Sequence, residues 1–325
     1  MKVAVCQVAD SGPLESLAVW LRCAGYEPYM PSASLCDELR RVGCDCVYDH
    51  DRLVRSGSYD RVEMPTKGTM DDVDLYIDVK AHRAYTAVVD RWPWLVDRVL
   101  WYRINGGAPE RVPGMGDEVA PPCPVLTPNL WYRGRDDAYA AWPPFVRFGS
   151  YGPRVVEKYT QPLCLVHNLV GWGFGALIPS MRRLGVAMHG DGSPDGLLSH
   201  DRVADAMRRA LAYIHLKSSD APGYALYEAL ASGCPCVVSR RLAWRCHMGE
   251  LFVPGETCLA FDEETHGPLD VDTCMEAVAA HLDYLKDPRC NRTIGEAGRR
   301  RLIELMWRED RDGASLVDFF RRNFP

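Results

Sequence analysis

The sequence lacks a long uninterrupted apolar run. Its longest apolar stretch, residues 162–179, is broken by His167, Asn168 and three glycines. It falls short of the roughly 20 apolar residues that a membrane-spanning helix needs. The first residues, MKVAVCQVAD, also lack the basic region, apolar core and cleavage site of a signal peptide. These two absences predict a soluble, cytoplasmic protein with no membrane span.

The sequence also lacks paired cysteine motifs. Its 13 cysteines are odd in number and include no CxxC pair, which excludes the spacing of a structural zinc site. A secreted disulfide scaffold is shorter and carries an even set. We therefore expect reduced thiols that serve mostly as small core residues.

A large positive charge and low-complexity tracts are missing as well. The formal net charge is −6, which argues against a protein that coats nucleic acid or anionic membranes. Hydrophobic residues make up 47% and charged residues 25% of the chain, a globular composition. A length of 325 residues predicts two domains.

Short apolar runs alternate with amphipathic segments, which is typical of α/β layers with parallel strands. Strands are predicted at residues 2–7, 74–79, 99–104, 124–126, 145–148, 163–168, 186–189, 213–216 and 236–239. Helices are predicted at residues 14–24, 176–184, 202–211, 223–231, 271–285 and 313–322. Residues 45–69 and 106–124 are predicted to be loops.

The alternation breaks near residues 150–161, where YGPR and TQP interrupt it. This break predicts an N-terminal domain over residues 1–155 and a C-terminal domain over residues 156–307. The last helix has an apolar face that includes Phe319 and Phe320 and must pack on a partner. We expect residues 308–325 to pack back toward the N-terminal domain.

The most informative segment is SSDAPGYALYEALASGCPCVVS, residues 218–239. A predicted strand ends before a loop with Asp220 and Gly223, and the following helix carries Glu228. A helix that begins in a glycine-containing loop offers free N–H groups and the positive end of its dipole to a phosphate. The two flanking carboxylates suit sugar hydroxyls.

This segment resembles the donor-binding motif of GT-4-like retaining glycosyltransferases (glycosyl transferases group 1). In that motif an acidic residue, seven others and a Glu precede a small-residue helix and a Gly-x-Pro turn. Here Asp220, residues 221–227 and Glu228 have this spacing, and residues 229–235 supply the small-residue helix and the Gly-x-Pro turn. The segment 249–259, with Glu250, and the Gly-x-Gly at Gly190 and Gly192 resemble flanking parts of the family pattern. Asp220 stands where the family usually has Glu, and Pro-Gly-Tyr-Ala replaces its Gly-Phe-Gly.

The resemblance implies a GT-B fold, an α/β architecture in which two Rossmann-like α/β/α domains face a central cleft. It implies that Glu228 bonds the ribose and that the amides near Gly223, Tyr224 and Ala225 meet the donor phosphate and sugar. It places Asp220, Arg103 and Asn105 at the reacting sugar. Further donor-side candidates are Gly190, Gly192, His167, Asn168, Lys217, Arg245 and Glu250; acceptor-side candidates are Asp10, Ser11, Gly12 and His82. The family's basic pair for the diphosphate is missing, since His167 and Asn168 stand there, and Lys217, Arg240, Arg241 and Arg245 remain its possible substitutes.

The implied activity is transfer of a sugar, a hexose, from a nucleotide diphosphate sugar to an acceptor hydroxyl with retention of configuration. A UDP-sugar is the favoured donor, with no tightly bound cofactor and no required metal. Asp49-His50-Asp51 and Asp72-Val73-Asp74 match the DxD metal pattern of another glycosyltransferase fold, but such matches arise by chance among 44 acidic residues. The acceptor stays open among a glycan, a small molecule and a modified DNA base.

Three alternatives use the same pocket. A phage-type DNA glycosyltransferase would modify hydroxymethylated pyrimidines and would have to flip a base or reach it through the groove. A sugar-nucleotide epimerase would consume donor without an acceptor. A non-catalytic nucleotide-binding module would keep the pocket alone.

Overall fold

The computed structural model describes most of the chain. The described residues are 1–6, 17–22, 24–42, 64–79, 84–102, 123–127, 139–141, 146, 148–154, 158–165, 174–190, 192–216, 223–240, 251–261, 271–311 and 313–324. Within these ranges, no helix is both long and apolar enough to cross a membrane.

The chain divides into two compact units. The first unit contains Met1–Phe145 and Arg308–Pro325, and the second contains Val146–Trp307. Residues 146–155, which the sequence assigns to the end of the N-terminal domain, group with the second unit. Contacts of Tyr151 and Arg154 hold them there: the Arg154 guanidinium donates to the carbonyl of Arg208 and to the side chain of Asn291.

The first unit is built on a seven-stranded sheet with the order β3-β2-β1-β4-β5-β6-β7. Its strands are β1 (Lys2–Cys6), β2 (Glu27–Pro31), β3 (Thr66–Lys67), β4 (Leu75–Val79), β5 (Val99–Tyr102), β6 (Val125–Thr127) and β7 (Tyr139–Ala141). All six pairings between neighbouring strands are parallel. The apolar runs KVAVC and LYIDV form neighbouring central strands, as expected because parallel sheets are buried on both faces.

Helices pack on this sheet through apolar faces. They are α1 (Ala33–Arg41), α2 (Ala84–Arg91) and α8 (Gly313–Asn323), with a 3₁₀ turn at Pro93–Leu95; residues 17–22 are also helical. Ser32 caps α1 by accepting the N–H of Leu35, which satisfies one of the open donors of the first turn. In α8, Phe320 is fully buried and meets the Tyr26 ring edge-on at 5.0 Å between centroids.

The second unit is built on a five-stranded parallel sheet with the order β12-β11-β10-β8-β9. Its strands are β8 (Leu163–Leu165), β9 (Ala187–His189), β10 (Tyr213–His215), β11 (Cys236–Ser239) and β12 (Leu259–Phe261). The chain leaves β8 toward β9 on one side and continues from β10 toward β11 on the other. The strand order therefore reverses between β8 and β10, and open α/β sheets bind ligands at the carboxyl ends of such a pair.

The helices of the second unit are α3 (Ile178–Arg183), α4 (His200–Arg209), α5 (Tyr224–Ala231), α6 (Val271–Tyr284) and α7 (Pro288–Arg311), with a 3₁₀ turn at Phe174–Leu177. Two glycines let α7 approach its neighbours closely. A Cβ at Gly298 would lie 2.7 Å from Leu230 Cδ2 and 2.8 Å from the Thr257 carbonyl oxygen, and one at Gly295 would overlap the Gly233 carbonyl. Glycine is required there because the contacts involve backbone atoms.

The predicted parallel α/β architecture is confirmed, and most predicted elements match observed ones within a few residues. Sequence reasoning missed β2, α1, α2, β7 and β12, and it gave no bounds for α7, although it placed Arg299–Arg301 on a helix. It placed Thr66 and Lys67 in a loop, whereas they form the edge strand β3. The strand predicted at residues 145–148 is wrong where described, because Phe148 begins a turn. The loop prediction for residues 106–124 falls almost wholly outside the described residues.

Eight cysteines among the described residues are free thiols, as predicted, and six of them are buried. The buried ones are Cys36, Cys164, Cys234, Cys236, Cys258 and Cys274. Burial raises the pKa of the Cys164 thiol to about 12, because removal from water penalises the thiolate.

Candidate functional site

One strip of α5 is less buried than the rest of the helix. Leu226, Tyr227 and residues 229–231 are buried in the core, whereas Tyr224, Ala225 and Glu228 are half-buried. Positions three and four apart lie on the same helix face, so these three residues form one strip that starts at the helix N-terminus. Three of the predicted donor-side residues therefore lie together.

The start of α5 is shaped by Gly223. Gly223 is the N-cap residue, and it has no side chain with which to cap the helix. The first N–H groups of a helix have no partner inside the helix, and they coincide with the positive end of its dipole. A Cβ at Gly223 would meet His215 Cε1 at 3.4 Å, the short end of ordinary van der Waals contact. The start of α5 thus lies close to the end of β10.

The carboxyl end of β10 is tied to β8 through buried polar groups. The Tyr213 hydroxyl donates to the carbonyl of Leu165, the last residue of β8, at 3.3 Å. The same hydroxyl lies 3.3 Å from Nδ1 of His215, and both side chains are buried. Burial raises the pKa of Tyr213 well above its ordinary value, with the nearby thiols and Glu228 adding to it. Tyr213 therefore remains a neutral hydroxyl that joins the two strands at the reversal point.

Glu228 is held by a tyrosine that is distant in sequence. The Tyr151 hydroxyl donates to Oε1 of Glu228 at 2.7 Å, and Tyr151 is only 1% exposed. Such a hydrogen bond to a carboxylate is strong because the acceptor is charged. The Arg299 guanidinium in turn donates to the Tyr151 carbonyl at 3.1 Å. Glu228 is thus a fixed carboxylate on the half-buried strip of α5.

Gly190 and Gly192 lie in a closed loop after β9. Their φ angles are 146° and 70°, in the region that favours glycine. The loop is held by its own bonds: the Gly190 N–H donates to the Gly196 carbonyl, and the Asp195 carboxylate accepts the Met188 N–H. β9 and β10 lie on opposite sides of β8, so their strand axes are about 10 Å apart.

The other predicted site residues lie outside the described residues, and their placement stays a prediction. They are Asp220, Arg103, Asn105, His167, Asn168, Lys217, Arg245, Glu250, Asp10, Ser11, Gly12 and His82.

Two cavities in the described residues lie away from α5. One, of about 880 Å³, opens in the first unit beside Lys2, Asp72, Asp74, Trp94 and Arg98, where β1, β4 and β5 begin. The other, of about 420 Å³, lies in the second unit beside β9 and includes His189 and Asp195. The first cavity lies at the amino ends of its strands, whereas ligands of open parallel sheets bind at the carboxyl ends. The second flanks the edge strand β9, away from the strand reversal between β8 and β10.

Both carboxylates of the Asp72-Val73-Asp74 pattern contact Lys2. The Lys2 ammonium lies 2.6 Å from Asp72, and the Lys2 backbone N–H donates to Asp74 at 2.7 Å. Within the described part of the chain, no group of three or more side chains suits a metal ion. Asp49 and Asp51 fall outside that part.

The profile of the family described as glycosyl transferase-like matches residues 175–307. The matched range contains the α5 strip and the two strands β10 and β11 that frame it. Residues 175–307 are a glycosyltransferase domain.

Solved structures of glycosyltransferases resemble this chain over nearly its whole length, beyond the residues that the family profile matches. A glycosyltransferase from Rickettsia africae ESF-5 is 13% identical, with 97% of each chain covered and a TM-score of 0.59. Sucrose-phosphate synthase from Thermosynechococcus elongatus is 13% identical, with 100% of this chain and 99% of that chain covered and a TM-score of 0.60. The catalytic domain of starch synthase IV from Arabidopsis thaliana, bound to ADP and acarbose, is 10% identical, with 99% of each chain covered and a TM-score of 0.58. A comparison with curated proteins found no match.

At these identities the solved structures show the fold alone, and that fold is GT-B. The suspected resemblance to GT-B glycosyltransferases is confirmed.

Sequence reasoning missed two residues of the second unit that lie at the candidate site. Tyr151 is 77 positions from Glu228 and lies in an irregular segment, so no spacing pattern indicates their contact. His215 carried a usable signal, because a histidine stands next to the end of the predicted strand that precedes the Asp220 loop. Its burial against Gly223 became visible only in the structure.

Proposed function

We propose that this chain transfers a sugar from a nucleotide diphosphate sugar, with a UDP-sugar favoured, to an acceptor hydroxyl. The observation that carries the proposal is the strip of Tyr224, Ala225 and Glu228, which brings the N-terminus of a helix that begins at Gly223 together with a fixed carboxylate. The N-terminus suits the negative diphosphate, and the carboxylate suits the ribose hydroxyls as a hydrogen-bond acceptor. The family match of residues 175–307 supports the same assignment.

The proposed reaction retains the configuration of the anomeric carbon. Charge develops on the leaving diphosphate, and preorganised N–H groups at the start of α5 stabilise it without reorganisation. The diphosphate also accepts the proton of the incoming hydroxyl, and no metal ion is required. NMR of the anomeric proton of the product tests this step, and an inverted product would contradict it.

The first test is a thermal-shift panel of UDP, GDP, ADP, CDP and TDP and their common sugars, without added metal. One nucleotide is expected to raise the melting temperature, because a ligand that binds only the folded state stabilises it by mass action. At 100 times its Kd the gain is about 2.7 kcal/mol. Glu228→Ala is expected to weaken this shift strongly.

The matched control is Glu276→Ala, which removes an exposed carboxylate from α6 of the same unit. It should keep the full nucleotide shift. If folded wild-type protein shows no shift with any nucleotide, or if both variants behave alike, the donor site is misassigned.

A further inference from the structure

Glu228 needs an orienting partner if it is to bind a ribose. A glutamate side chain has several rotatable bonds and loses up to about 2 kcal/mol of conformational free energy when it is fixed in one orientation. The Tyr151 hydroxyl supplies a bond to Oε1 at 2.7 Å. A carboxylate offers about four acceptor positions, so it can accept from Tyr151 and from a ribose hydroxyl together.

Tyr151 is itself rigidly held. Its side chain is 1% exposed, and its carbonyl accepts the Arg299 guanidinium of α7 at 3.1 Å. Arg299 also lies over the Phe148 ring at 5.5 Å. The neighbouring Ser150 carbonyl accepts Arg208 of α4 at 2.7 Å. Two helices of the second unit therefore fix the segment that carries Tyr151.

We propose that Tyr151 is a positioning residue for donor recognition: its hydroxyl orients the Glu228 carboxylate toward the ribose hydroxyls of the nucleotide. This role rests on the proposed function. Tyr151 does not touch the reacting atoms, and it acts only through Glu228. Its effect must therefore appear as selectivity for ribose over a sugar that lacks those hydroxyls.

The test compares UDP with 2′,3′-dideoxy-UDP by calorimetry on the full chain, or the corresponding pair for the base that the panel selects. In Tyr151→Phe, the Kd of UDP is expected to rise about five- to tenfold, the scale of the net contribution of one typical hydrogen bond. The Kd of the dideoxy analogue should stay unchanged, because it has no ribose hydroxyls for Glu228. In turnover, KM should rise while kcat stays constant, the signature of lost ground-state binding.

Tyr159→Phe is the matched control, since it removes a hydroxyl from the same unit at a ring that packs under the Arg154 guanidinium. It should leave both Kd values unchanged. In a Glu228→Ala background, Tyr151→Phe should no longer change the ratio of the two Kd values, as a double-mutant cycle requires for coupled residues.

The outcomes separate the two proposals. Equal weakening of both ligands by Tyr151→Phe, or no change in either, overturns the positioning role while the donor site stands. Failure of the wild type to bind any nucleotide overturns both. If Tyr151→Phe does not fold, Arg299→Lys replaces it, because that change removes the guanidinium bond to the Tyr151 carbonyl. A loss of ribose selectivity in Arg299→Lys would support the positioning role of Tyr151, and unchanged selectivity would overturn it.

Discussion

At the scale of single residues, hydrogen bonds to carboxylates have two roles in the second unit: one orients a side chain at the candidate site, and another closes a loop. The Tyr151–Glu228 bond fixes a side chain at the candidate site. The Asp195 carboxylate instead closes the loop after β9, by accepting the Met188 N–H and the Arg182 guanidinium at 2.7 Å each. Loss of the Tyr151–Glu228 bond is expected to weaken nucleotide binding, whereas loss of the Asp195 bonds is expected to lower the free energy of unfolding.

Asp195→Asn is expected to lower the free energy of unfolding by about 1–2 kcal/mol at pH 7, the cost of weakening hydrogen bonds to a charged group. Burial raises the pKa of Asp195, but the Met188 N–H and Arg182 outweigh it, so the pKa lies below its ordinary value. A lowered folded-state pKa gives stability that is present above the unfolded pKa and lost as pH falls through the folded value. The difference between wild type and variant should therefore shrink below about pH 4, near the ordinary pKa of an aspartate in an unfolded chain.

Urea unfolding at pH 7 and pH 3 measures this difference. Asp283→Asn is the control, because Asp283 is 78% exposed in its pair with Lys286 and exposed pairs contribute little. A difference between wild type and Asp195→Asn that persists unchanged at pH 3 would contradict the assignment.

Buried thiols give a second prediction at the residue scale. Burial raises the pKa of Cys164 and of Cys258 to about 12, and the thiolate is the reactive form. Iodoacetamide at pH 8 should label both much more slowly in the folded protein than it labels half-buried Cys290. Peptide mass spectrometry reports each site, and the three should react at similar rates in urea.

At the scale of elements, the close packing of α7 against α5 depends on two glycines of α7, Gly295 and Gly298, which have no Cβ atom. Helix propensity favours alanine over glycine by up to about 1 kcal/mol, so propensity alone predicts that Gly295→Ala stabilises the protein. The structure predicts the opposite sign, because the new Cβ would overlap the Gly233 carbonyl in the turn after α5.

Gly295→Ala is expected to destabilise the protein by about 1–3 kcal/mol, the usual cost of overpacking. Because the clash lies against the turn that ends α5, it should also weaken the nucleotide-induced thermal shift. Chemical denaturation measures the first effect. Thr293→Ala, at an exposed position of the same helix, is the control and should be neutral or slightly stabilising; a stabilising Gly295→Ala would show that α7 packs differently.

At the scale of the whole molecule, the first unit is assembled from both ends of the chain. Its core includes Phe319, Phe320 and Phe324 of the C-terminal segment, all at most 3% exposed. Phe320 contacts Tyr26 and both neighbouring phenylalanines. The last turns of the chain are thus part of the N-terminal core.

Phe320→Ala is expected to destabilise the first unit by about 3–5 kcal/mol, the usual cost of removing a buried phenylalanine. Hydrogen exchange should show faster exchange in peptides covering β1 and β2, with β10 and β11 unchanged. Arg321→Ala, an exposed neighbour, should change neither set. Equal loss of protection in both units would contradict the assignment of α8 to the first unit.

The sequence by itself determined the parallel α/β architecture, most central strands and the position of α5. These features follow from local signals: apolar runs bounded by turns, and a glycine before a helix with a spaced carboxylate. The edge strand β3, with two residues, has too little pattern to be recognised. Helix α1 was missed although Ser32 caps it, because its surroundings show no clear period.

Only the tertiary structure decided which distant groups meet. Tyr151 contacts Glu228 because hydrogen bonds from α4 and α7 hold its segment in place. Phe320 contacts Tyr26, although the two residues lie near opposite ends of the sequence. Such contacts depend on how layers pack, and packing brings together residues whose separation in sequence carries no periodic signal. The segment that we propose to bind the donor was therefore readable from its own residues, whereas Tyr151, which we propose to orient Glu228, was not.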